Sequence, residues 1–324
     1  MLTTALTRRL GIQHPIVQAG IGAQAGPDLA AAVANAGGLG TLGTIATPPA
    51  DIVRAIARTR DLTAAPFAIN LVTMKGVPFG PELLDTAQNE CVGIVTLSFG
   101  DATPAIARFR AAGATVLVQV QDLDQARAAL AAGADFIIAQ GNEAGGHTGL
   151  RGTMSFAAQV LDLAGDTPVL VAGGVGNGRG LAAALAMGAA GVVMGTRFKA
   201  SLEATGDDAQ KAAIVASDGG NTIADLANDA VLPFRWPSNV VGRVVATPFA
   251  SEWAGRADAL RARAESYGRP YGIHADATLD PRVELNWAGE SAGLVEEVLP
   301  AAEIVRRTVE EAERLMKRAV AAIG

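Results

Sequence analysis

Short apolar runs alternate with helical patterns along the first two hundred residues. Eight runs are nearly continuous in apolar character, as expected for strands covered on both faces; they span 15–19, 39–42, 66–70, 92–97, 115–120, 135–139, 168–172 and 191–194. Helical patterns separate them at 28–36, 48–60, 81–90, 102–112, 123–132, 156–164 and 179–187. Repeated strand–helix units predict a parallel sheet. Because there are eight strands, we predict an α/β fold of the closed (β/α)8 TIM barrel type rather than an open sheet.

The strand–helix repeat ends after Phe198. Residues 206–284 contain helical pieces, several prolines and the aromatic residues Trp236, Trp253 and Tyr271, but no further repeat. We therefore predict a small, mostly helical subdomain at 206–284 that caps the barrel mouth and is inserted into a barrel formed by 1–205 and 285–324. A long amphipathic pattern at 303–322 predicts the last outer helix of the barrel.

Composition and charge exclude several classes of protein. The 324 residues include 26 basic and 32 acidic side chains, for a net charge of −6, and no long basic run, so nucleic acid is not an expected partner. No apolar stretch of about 18 residues is present, so no membrane span is expected. The single cysteine, Cys91, favours a reducing compartment, and the cytoplasm is the expected location. Its apolar neighbours predict a buried, inert thiol.

The segment 140–149 (QGNEAGGHTG) is the first candidate for chemistry. It follows the sixth predicted strand, and active sites of such barrels lie at the carboxyl ends of the strands. Its four glycines allow backbone turns that other residues resist, and His147 can exchange a proton near neutral pH. The alternative is a glycine-rich surface turn with an incidental histidine. His14, ahead of the first strand, is expected to be structural at the opposite face, and His274 is expected in an exposed loop of the cap.

Two glycine turns follow the seventh and eighth strands, at 172–175 (AGGV) and 194–198 (MGTRF). Barrels often bind phosphate with these two loops, because backbone N–H groups point at the anion and glycine lets them approach it. Thr196 can add a hydroxyl donor. We favour phosphate binding over the alternative of two tight turns without a ligand.

Other cofactor and metal motifs are weak. The run 20–25 (GIGAQA) matches a permissive dinucleotide-binding pattern, but no acidic residue lies between Asp28 and Asp51 to bind a ribose. The three histidines lie far apart and no cysteine pair exists, so no metal site is expected. No G-x-S-x-G hydrolase motif is present.

Together these motifs resemble the nitronate monooxygenase family, formerly called 2-nitropropane dioxygenases. The resemblance is carried by EAGGHTG at 143–149, AGGV at 172–175 and MGTRF at 194–198, with support from 18–21 (QAGI), 36–40 (AGGLG), 67–70 (FAIN) and 287–293 (WAGESAG). It spans nearly the whole chain. It specifies an FMN-dependent superfamily more strongly than a reaction, because FMN-dependent enoyl-ACP reductases share the EAGGH element and some NADH:quinone reductases share the barrel and turns.

The resemblance implies non-covalent FMN as the cofactor and His147 as the catalytic base. The implied phosphate contacts are Gly173, Gly174, Gly195 and Thr196. The implied isoalloxazine contacts are Ala19, Gly20, Ile21, Asn70 and Gln119, with Ser291 nearby, and Gly146 and Met194 complete the expected cofactor-binding set. Gln119 departs from the family pattern, because several relatives carry a lysine at that strand end. A neutral side chain there would stabilise an anionic reduced flavin less.

The implied reaction is oxidation of alkyl nitronates by O2 to carbonyl compounds and nitrite. Neutral nitroalkanes would first lose the acidic proton beside the nitro group, which a histidine can remove, whereas a substrate supplied as nitronate needs no base. The expected partners are a small-molecule substrate and O2, with a homodimer left open. Two alternatives remain: an FMN-dependent NAD(P)H reductase of a quinone or enoyl thioester, and a non-catalytic barrel that binds a phosphate ligand.

Overall fold

The computed structural model of the protein describes residues 2–231, 235–267, 283 and 285–323. Its strands are β1 (Ile16–Gln18), β2 (Gly40–Gly43), β3 (Phe67–Thr73), β4 (Ile94–Gly100), β5 (Thr115–Val120), β6 (Phe136–Gln140), β7 (Gly146–Thr148), β8 (Val169–Ala172), β9 (Gly191–Met194), β10 (Thr222–Asp225), β11 (Val241–Val245) and β12 (Asn286–Trp287). Eight of them form one parallel sheet in the order β1-β9-β8-β6-β5-β4-β3-β2. A parallel bridge between Val17 and Leu39 joins the first strand to the last, so the sheet closes and the predicted (β/α)8 barrel is confirmed.

The helices mostly cover the outside of this barrel. They are α1 (Ala5–Leu10), α2 (Pro27–Asn35), α3 (Pro49–Leu62), α4 (Gly80–Asn89), α5 (Thr103–Ala111), α6 (Leu123–Ala131), α7 (Thr153–Ala164), α8 (Gly178–Ala186), α9 (Thr196–Lys199), α10 (Asp208–Val215), α11 (Pro248–Trp253), α12 (Ala257–Arg261) and α13 (Ala301–Ile323). As predicted, α13 completes the outer ring, because it packs against α8 and α2. None of the helices among the described residues is both long and apolar enough to cross a membrane.

The short helix α1 closes the amino-terminal end of the barrel and was not predicted. Leu6 and Leu10 are buried in the same apolar cluster as the inward-facing side chains of the strands. The hydroxyl of Thr4 accepts a hydrogen bond from the amide of Thr7 at the start of α1, and it donates one of 2.6 Å to the carbonyl of Ala190 just before β9. This end of the barrel is therefore filled by apolar side chains, and space for a ligand can open only at the opposite end.

The inward-facing positions become polar toward the carboxyl ends of the strands. Side chains alternate between the two faces of a strand with a period of two. Ala68 and Leu117 belong to the inner apolar cluster, so Asn70 and Gln119, two residues further on, also face inward. Gln140 follows Ile138 in the same way. The barrel interior thus offers hydrogen-bonding groups at the end where the sequence predicted the active site.

The segment that follows the barrel repeat contains strands as well as the expected helices. β10 and β11 are antiparallel, and β11 also pairs with β7 and β12 to form a second sheet of four strands. An apolar cluster that includes Phe249, Trp253 and Leu260 packs beneath it. The second sheet was not predicted. It joins the segment to the barrel at both predicted boundaries, because β7 lies before residue 206 and β12 lies after residue 284. Tyr271 and His274 lie outside the described residues.

Cys91 differs from its prediction. Its thiol is exposed rather than buried, and its backbone has a φ of +51°. It follows the C-cap residue of α4, a position where a left-handed residue, usually glycine, ends a helix. The apolar neighbours that indicated burial, Val92 and Ile94, are themselves buried just before and at the start of β4, whereas Cys91 forms the turn.

Gly40 allows one of the closest contacts between the sheet and the helices. A Cβ atom on Gly40 would lie 1.9 Å from the backbone carbonyl oxygen of Ala30 in α2. Because neither backbone can give way easily, Gly40→Ala should lower the free energy of unfolding by about 1–3 kcal/mol. Denaturant unfolding would measure this loss. Gly93→Ala is the matched control, since nothing lies within 4 Å of its Cβ position; equal stability of the two variants would contradict the prediction.

Candidate active site

His147 lies at the carboxyl-terminal rim of the barrel. It occupies the middle of β7, opposite Gly242 of β11. The side-chain amide of Gln140, the last residue of β6, donates a hydrogen bond of 3.1 Å to the His147 carbonyl, and Gln121 donates to Gln140 over 2.9 Å. These contacts fix the position of β7 above the end of β6, on the rim where the sequence predicted it.

Aromatic side chains surround the imidazole of His147. Trp236 stacks on it with a centroid distance of 3.7 Å and an interplanar angle of 16°. Trp287 lies tilted at 5.0 Å, and Phe99 approaches edge-on at 6.2 Å. The His147 side chain is 13% exposed. Three separate parts of the chain therefore build an apolar wall around one polar ring.

A carboxylate binds one nitrogen of this ring. Nε2 of His147 lies 2.6 Å from Oδ1 of Asp229, whose side chain is only 5% exposed. Asp229 ends the 3-10 helix Leu226–Asp229, which Asp225 caps by accepting a hydrogen bond of 2.7 Å from the Ala227 amide. Sequence reasoning missed Asp229, because it lies 82 residues from His147 and no motif marks it.

The two predicted glycine turns lie side by side. β8 and β9 are neighbours, with Ala172 paired with Val193. Gly173 and Gly174 follow β8 with φ angles of +98° and +72°. In the described part of the chain, no group accepts a hydrogen bond from the backbone amides of either glycine, nor from those of Gly195 and Thr196 after β9. Unused backbone N–H groups on left-handed glycine turns are typical of anion-binding cradles, so the residues present fit a phosphate group.

A buried hydroxyl faces the same cradle. Thr153 Oγ1 has no hydrogen-bond partner among the described residues. It lies 2.9 Å from the point that a Cβ on Gly173 would occupy. An unpaired buried donor is costly, and a bound phosphate oxygen would satisfy it.

Glu143 braces this side of the site. Its carboxylate accepts a hydrogen bond of 3.0 Å from the Thr153 amide at the start of α7, where Gly152 offers no side-chain cap. Its backbone carbonyl accepts one of 3.0 Å from the amide of Glu290. Glu143 thus joins the β6 loop to α7 and to the 3-10 helix Glu290–Leu294.

Ser291 lies at the phosphate turns. Its Cβ is 3.2 Å from the point that a Cβ on Gly176 would occupy, in the loop after β8. The adjacent amide of Gly289 donates a buried hydrogen bond of 2.9 Å to Thr196 Oγ1. Thr196 therefore uses one lone pair for Gly289 and keeps its own hydroxyl proton for a ligand.

The predicted isoalloxazine residues meet at the barrel mouth. A Cβ on Gly20 would lie 2.4 Å from the Cβ of Asn70, and one on Gly195 would lie 3.4 Å from Ile21 and 3.6 Å from Ala19. The loop after β1 is thus in contact with Asn70 on one side and with the phosphate turns on the other. Asn70 also donates a hydrogen bond of 3.2 Å to Ser98 Oγ.

The other three predicted cofactor contacts differ in the group that each can present to a ligand. The Gln119 side chain is half-buried at the end of β5 and makes no hydrogen bond with the described residues, so it is available to a ligand. Gly146 adopts a φ of +71° beside His147. Met194 is fully buried in the core outside the barrel, and its carbonyl accepts a hydrogen bond of 3.0 Å from the Ala19 amide. Met194 can therefore reach a cofactor only through its backbone.

Two buried cations follow the second glycine turn, and sequence analysis assigned neither. Both guanidinium amino groups of Arg197 donate to the Glu297 carbonyl, over 2.9 and 3.0 Å. Lys199 Nζ donates to Asn286 Oδ1 over 2.7 Å and to the Trp287 carbonyl over 2.9 Å. Lys199 ties α9 to β12, the strand that carries Trp287, and Arg197 ties α9 to the segment before α13. Burial lowers the pKa of Lys199 to about 7.

Lys199 should make stability depend on pH. Its pKa is about 7 in the folded protein and 10.5 as a free side chain, so between these values the unfolded chain binds a proton that the folded protein does not. Stability should therefore rise with pH from 7 toward 10.5, by at most about 1.4 kcal/mol per pH unit. Denaturant unfolding at pH 7.5 to 9.5 should show this rise relative to Lys199→Met. Lys75→Met, which removes an exposed lysine, should keep the wild-type pH dependence; a Lys199→Met curve parallel to the wild type would contradict the prediction.

His14 is not part of this site. His14 precedes β1, on the amino-terminal side of the barrel, as predicted, and burial lowers its pKa. His274 lies outside the described residues.

Known proteins are similar to this chain in sequence. The family model of nitronate monooxygenase matches residues 3–92 and 73–230. A nitronate monooxygenase of Pseudomonas aeruginosa is 32% identical over 96% of this chain and 99% of its own length. A (3aS,4S,5R,7aS)-5-hydroxy-7a-methyl-1-oxo-octahydro-1H-indene-4-carboxyl-CoA dehydrogenase of Rhodococcus jostii is 43% identical over 65% of this chain, and the match spans 59% of that relative's length.

Solved structures share the whole fold. FabK from Thermotoga maritima superposes with a TM-score of 0.88 at 32% identity, over 99% of this chain and 100% of its own. A nitroalkane oxidase from Streptomyces ansochromogenes has a TM-score of 0.81 at 29% identity, over 98% of this chain and 100% of its own. These neighbours cover both the barrel and the segment that follows it.

Proposed function

The chain belongs to the nitronate monooxygenase family, and from this premise we propose that it is an FMN-dependent enzyme that oxidises alkyl nitronates and nitroalkanes with O2 to carbonyl compounds and nitrite. The observation that carries the proposal is the pairing of His147 with Asp229 on the same rim as the two unused amide cradles. A proton-accepting ring and an anion-binding turn on one rim are what a flavin-dependent oxidation of a carbon acid requires.

The residues that would hold FMN are those on the rim. Its phosphate would bind the amides of Gly173, Gly174, Gly195 and Thr196, with the hydroxyls of Thr196 and Ser291 as further donors. Asn70, Gln119 and the loop 19–21 would line the ring system, together with Gly146 and the backbone of Met194. FMN, when bound, accepts electrons from the substrate and passes them to O2.

His147 would act on the substrate before oxidation. A neutral nitroalkane carries its acidic hydrogen on the carbon beside the nitro group, and a neutral imidazole can accept that proton. Trp236, Trp287 and Phe99 surround the ring and suit the apolar part of an alkyl substrate. The inserted segment 206–284 supplies Trp236 and Asp229, which supports our proposal that it forms a cap over this mouth.

An absorbance spectrum and an oxygen assay test the proposed function. The purified protein should be yellow with a bound flavin spectrum, and it should consume O2 and release nitrite when given propyl-1- or propyl-2-nitronate. A colourless protein that binds no added FMN would favour the non-catalytic barrel. A yellow protein that consumes no O2 with either nitronate would rule out the proposed oxidation.

A second function has specific support. The 43% identity, over 65% of this chain, to the indene-carboxyl-CoA dehydrogenase of Rhodococcus jostii and the TM-score of 0.88 to FabK favour an FMN-dependent NAD(P)H reductase of a quinone or enoyl thioester. Rapid anaerobic bleaching of the flavin by NADH or NADPH, followed by reoxidation with an enoyl thioester, would identify that activity. A flavin that stays oxidised under NAD(P)H but is reduced by nitronate would exclude it.

A further inference from the structure

We propose that Asp229 is the positioning residue of the catalytic base: it holds the proton of His147 on Nε2 and so makes Nδ1 the atom that accepts the substrate proton. This inference rests on the proposed function only where it concerns the substrate. The tautomer that it assigns to His147 can be measured without any turnover.

The contact between the two side chains is close and well buried. Nε2 of His147 and Oδ1 of Asp229 are 2.6 Å apart, with 13% and 5% of the two side chains exposed. Arg243, which follows Gly242 in β11, is engaged elsewhere: it donates to the Asn142 carbonyl and to Thr222 Oγ1 and pairs with Glu290. Within the described residues, His147 is therefore the only side chain that binds the Asp229 carboxylate.

This contact decides which ring nitrogen carries the proton. An ionised carboxylate can only accept hydrogen bonds, so Nε2 must be the donor. In the neutral ring, Nδ1 then keeps its lone pair. Nδ1 makes no hydrogen bond with the described residues, and the His147 side chain is 13% exposed, so Nδ1 is available to a substrate. When Nδ1 takes up a proton, the adjacent carboxylate stabilises the resulting imidazolium.

The backbone around Asp229 holds its carboxylate next to the imidazole of His147. Asn228, its neighbour, donates a buried hydrogen bond of 2.8 Å to the carbonyl of Gly242. Gly242 is the residue opposite His147 in the β7–β11 ladder. Trp236 stacks on the face of the His147 ring and prevents the ring from rotating. The carboxylate and the imidazole are thus both attached to the same pair of strands, which is the arrangement expected of a positioning contact.

Asp229→Asn tests the inference, because it keeps the shape and removes the charge. An asparagine can donate an N–H to Nε2, which moves the ring proton to Nδ1 and removes the lone pair that the substrate needs. In the flavin-loaded protein, ¹⁵N NMR should show Nε2–H for His147 in the wild type and Nδ1–H in Asp229→Asn, with signals assigned by means of His147→Asn. The kcat/KM for neutral nitroethane should fall by at least about 100-fold, while that for ethylnitronate should stay within about threefold.

Asp225→Asn is the matched control, since it removes the carboxylate that caps the same 3-10 helix, keeps an oxygen that can accept the Ala227 amide, and does not touch His147. It should leave the tautomer and both kcat/KM values near those of the wild type. A wild-type His147 protonated on Nδ1, or an Asp229→Asn variant with unchanged tautomer and unchanged nitroethane turnover, would overturn the inference. Equal loss for nitroethane and ethylnitronate would assign Asp229 a structural role and also overturn it. If the wild type oxidises neither substrate, the proposed function fails, and the NMR result still decides the assignment of Asp229.

Discussion

Replacement of His147 by asparagine should lower the kcat/KM for a neutral nitroalkane by about 10²–10⁴-fold, the range that removal of a general base produces. Asparagine has a similar size but no basic nitrogen, so the carbon acid would lose its proton only to water. The same variant should keep nitronate turnover within about threefold of the wild type, because a nitronate has already lost that proton. The difference between the two substrates is the signature of a base.

Parallel assays with nitroethane and ethylnitronate at one pH measure this difference. His14→Asn is the control, since His14 lies on the amino-terminal side of the barrel and should affect neither substrate. Flavin content must be equal in all three proteins, because loss of cofactor would lower both activities together. Equal losses for nitroethane and ethylnitronate at full flavin content would remove His147 from the role of base.

The second large effect is expected at the phosphate cradle, where Gly173→Ala should weaken FMN binding by at least about 100-fold. The φ of +98° at Gly173 is strained for any residue with a Cβ. A Cβ there would also lie 2.8 Å from the Gly141 carbonyl and 2.9 Å from Thr153 Oγ1. The turn would have to open, and its amides would then no longer converge on an anion. Strain and clash together amount to about 3 kcal/mol, or roughly 100-fold in affinity.

Titration of the FMN-free protein with FMN, followed by quenching of flavin fluorescence, measures the affinity. Gly188→Ala is the matched control: it carries the same backbone strain, with a φ of +97°, but its Cβ would meet nothing within 4 Å, and it precedes β9 at the other end of the barrel. It should bind FMN like the wild type. If Gly173→Ala binds FMN within threefold of the control, the turn after β8 is not the phosphate site.

The barrel could be predicted because its information is local. Each strand is a short apolar run and each helix has its own period, and two of the predicted strands, 115–120 and 191–194, coincide with β5 and β9. The other strand ends shift by up to three residues, as for β3, which continues to Thr73. Eight repeats of one unit then leave few ways to bury the sheet.

The second sheet could not be predicted, because its strands lack a periodic pattern. β7 lies in a glycine-rich loop, and β10 is mostly half-exposed. β10 pairs with β11 across a separation of about 20 residues, and β7 pairs with β11 across about 95 residues. No local pattern records the backbone hydrogen bonds between such segments. The exposure of Cys91 also could not be predicted from its neighbours. They are apolar and indicated burial, but the turn that ends α4 places the thiol in solvent.

The sequence by itself determined the barrel, the two glycine turns at adjacent strand ends and the rim on which His147 lies. These follow from side-chain periodicity, from the conformations open to glycine and from the rule that parallel strands end at one edge. Only the tertiary structure decided that Asp229, Trp236 and Trp287 meet the imidazole and that Ser291 lies beside Gly176. Periodicity states which face of a segment is buried, whereas the residue that it meets depends on how distant segments pack together.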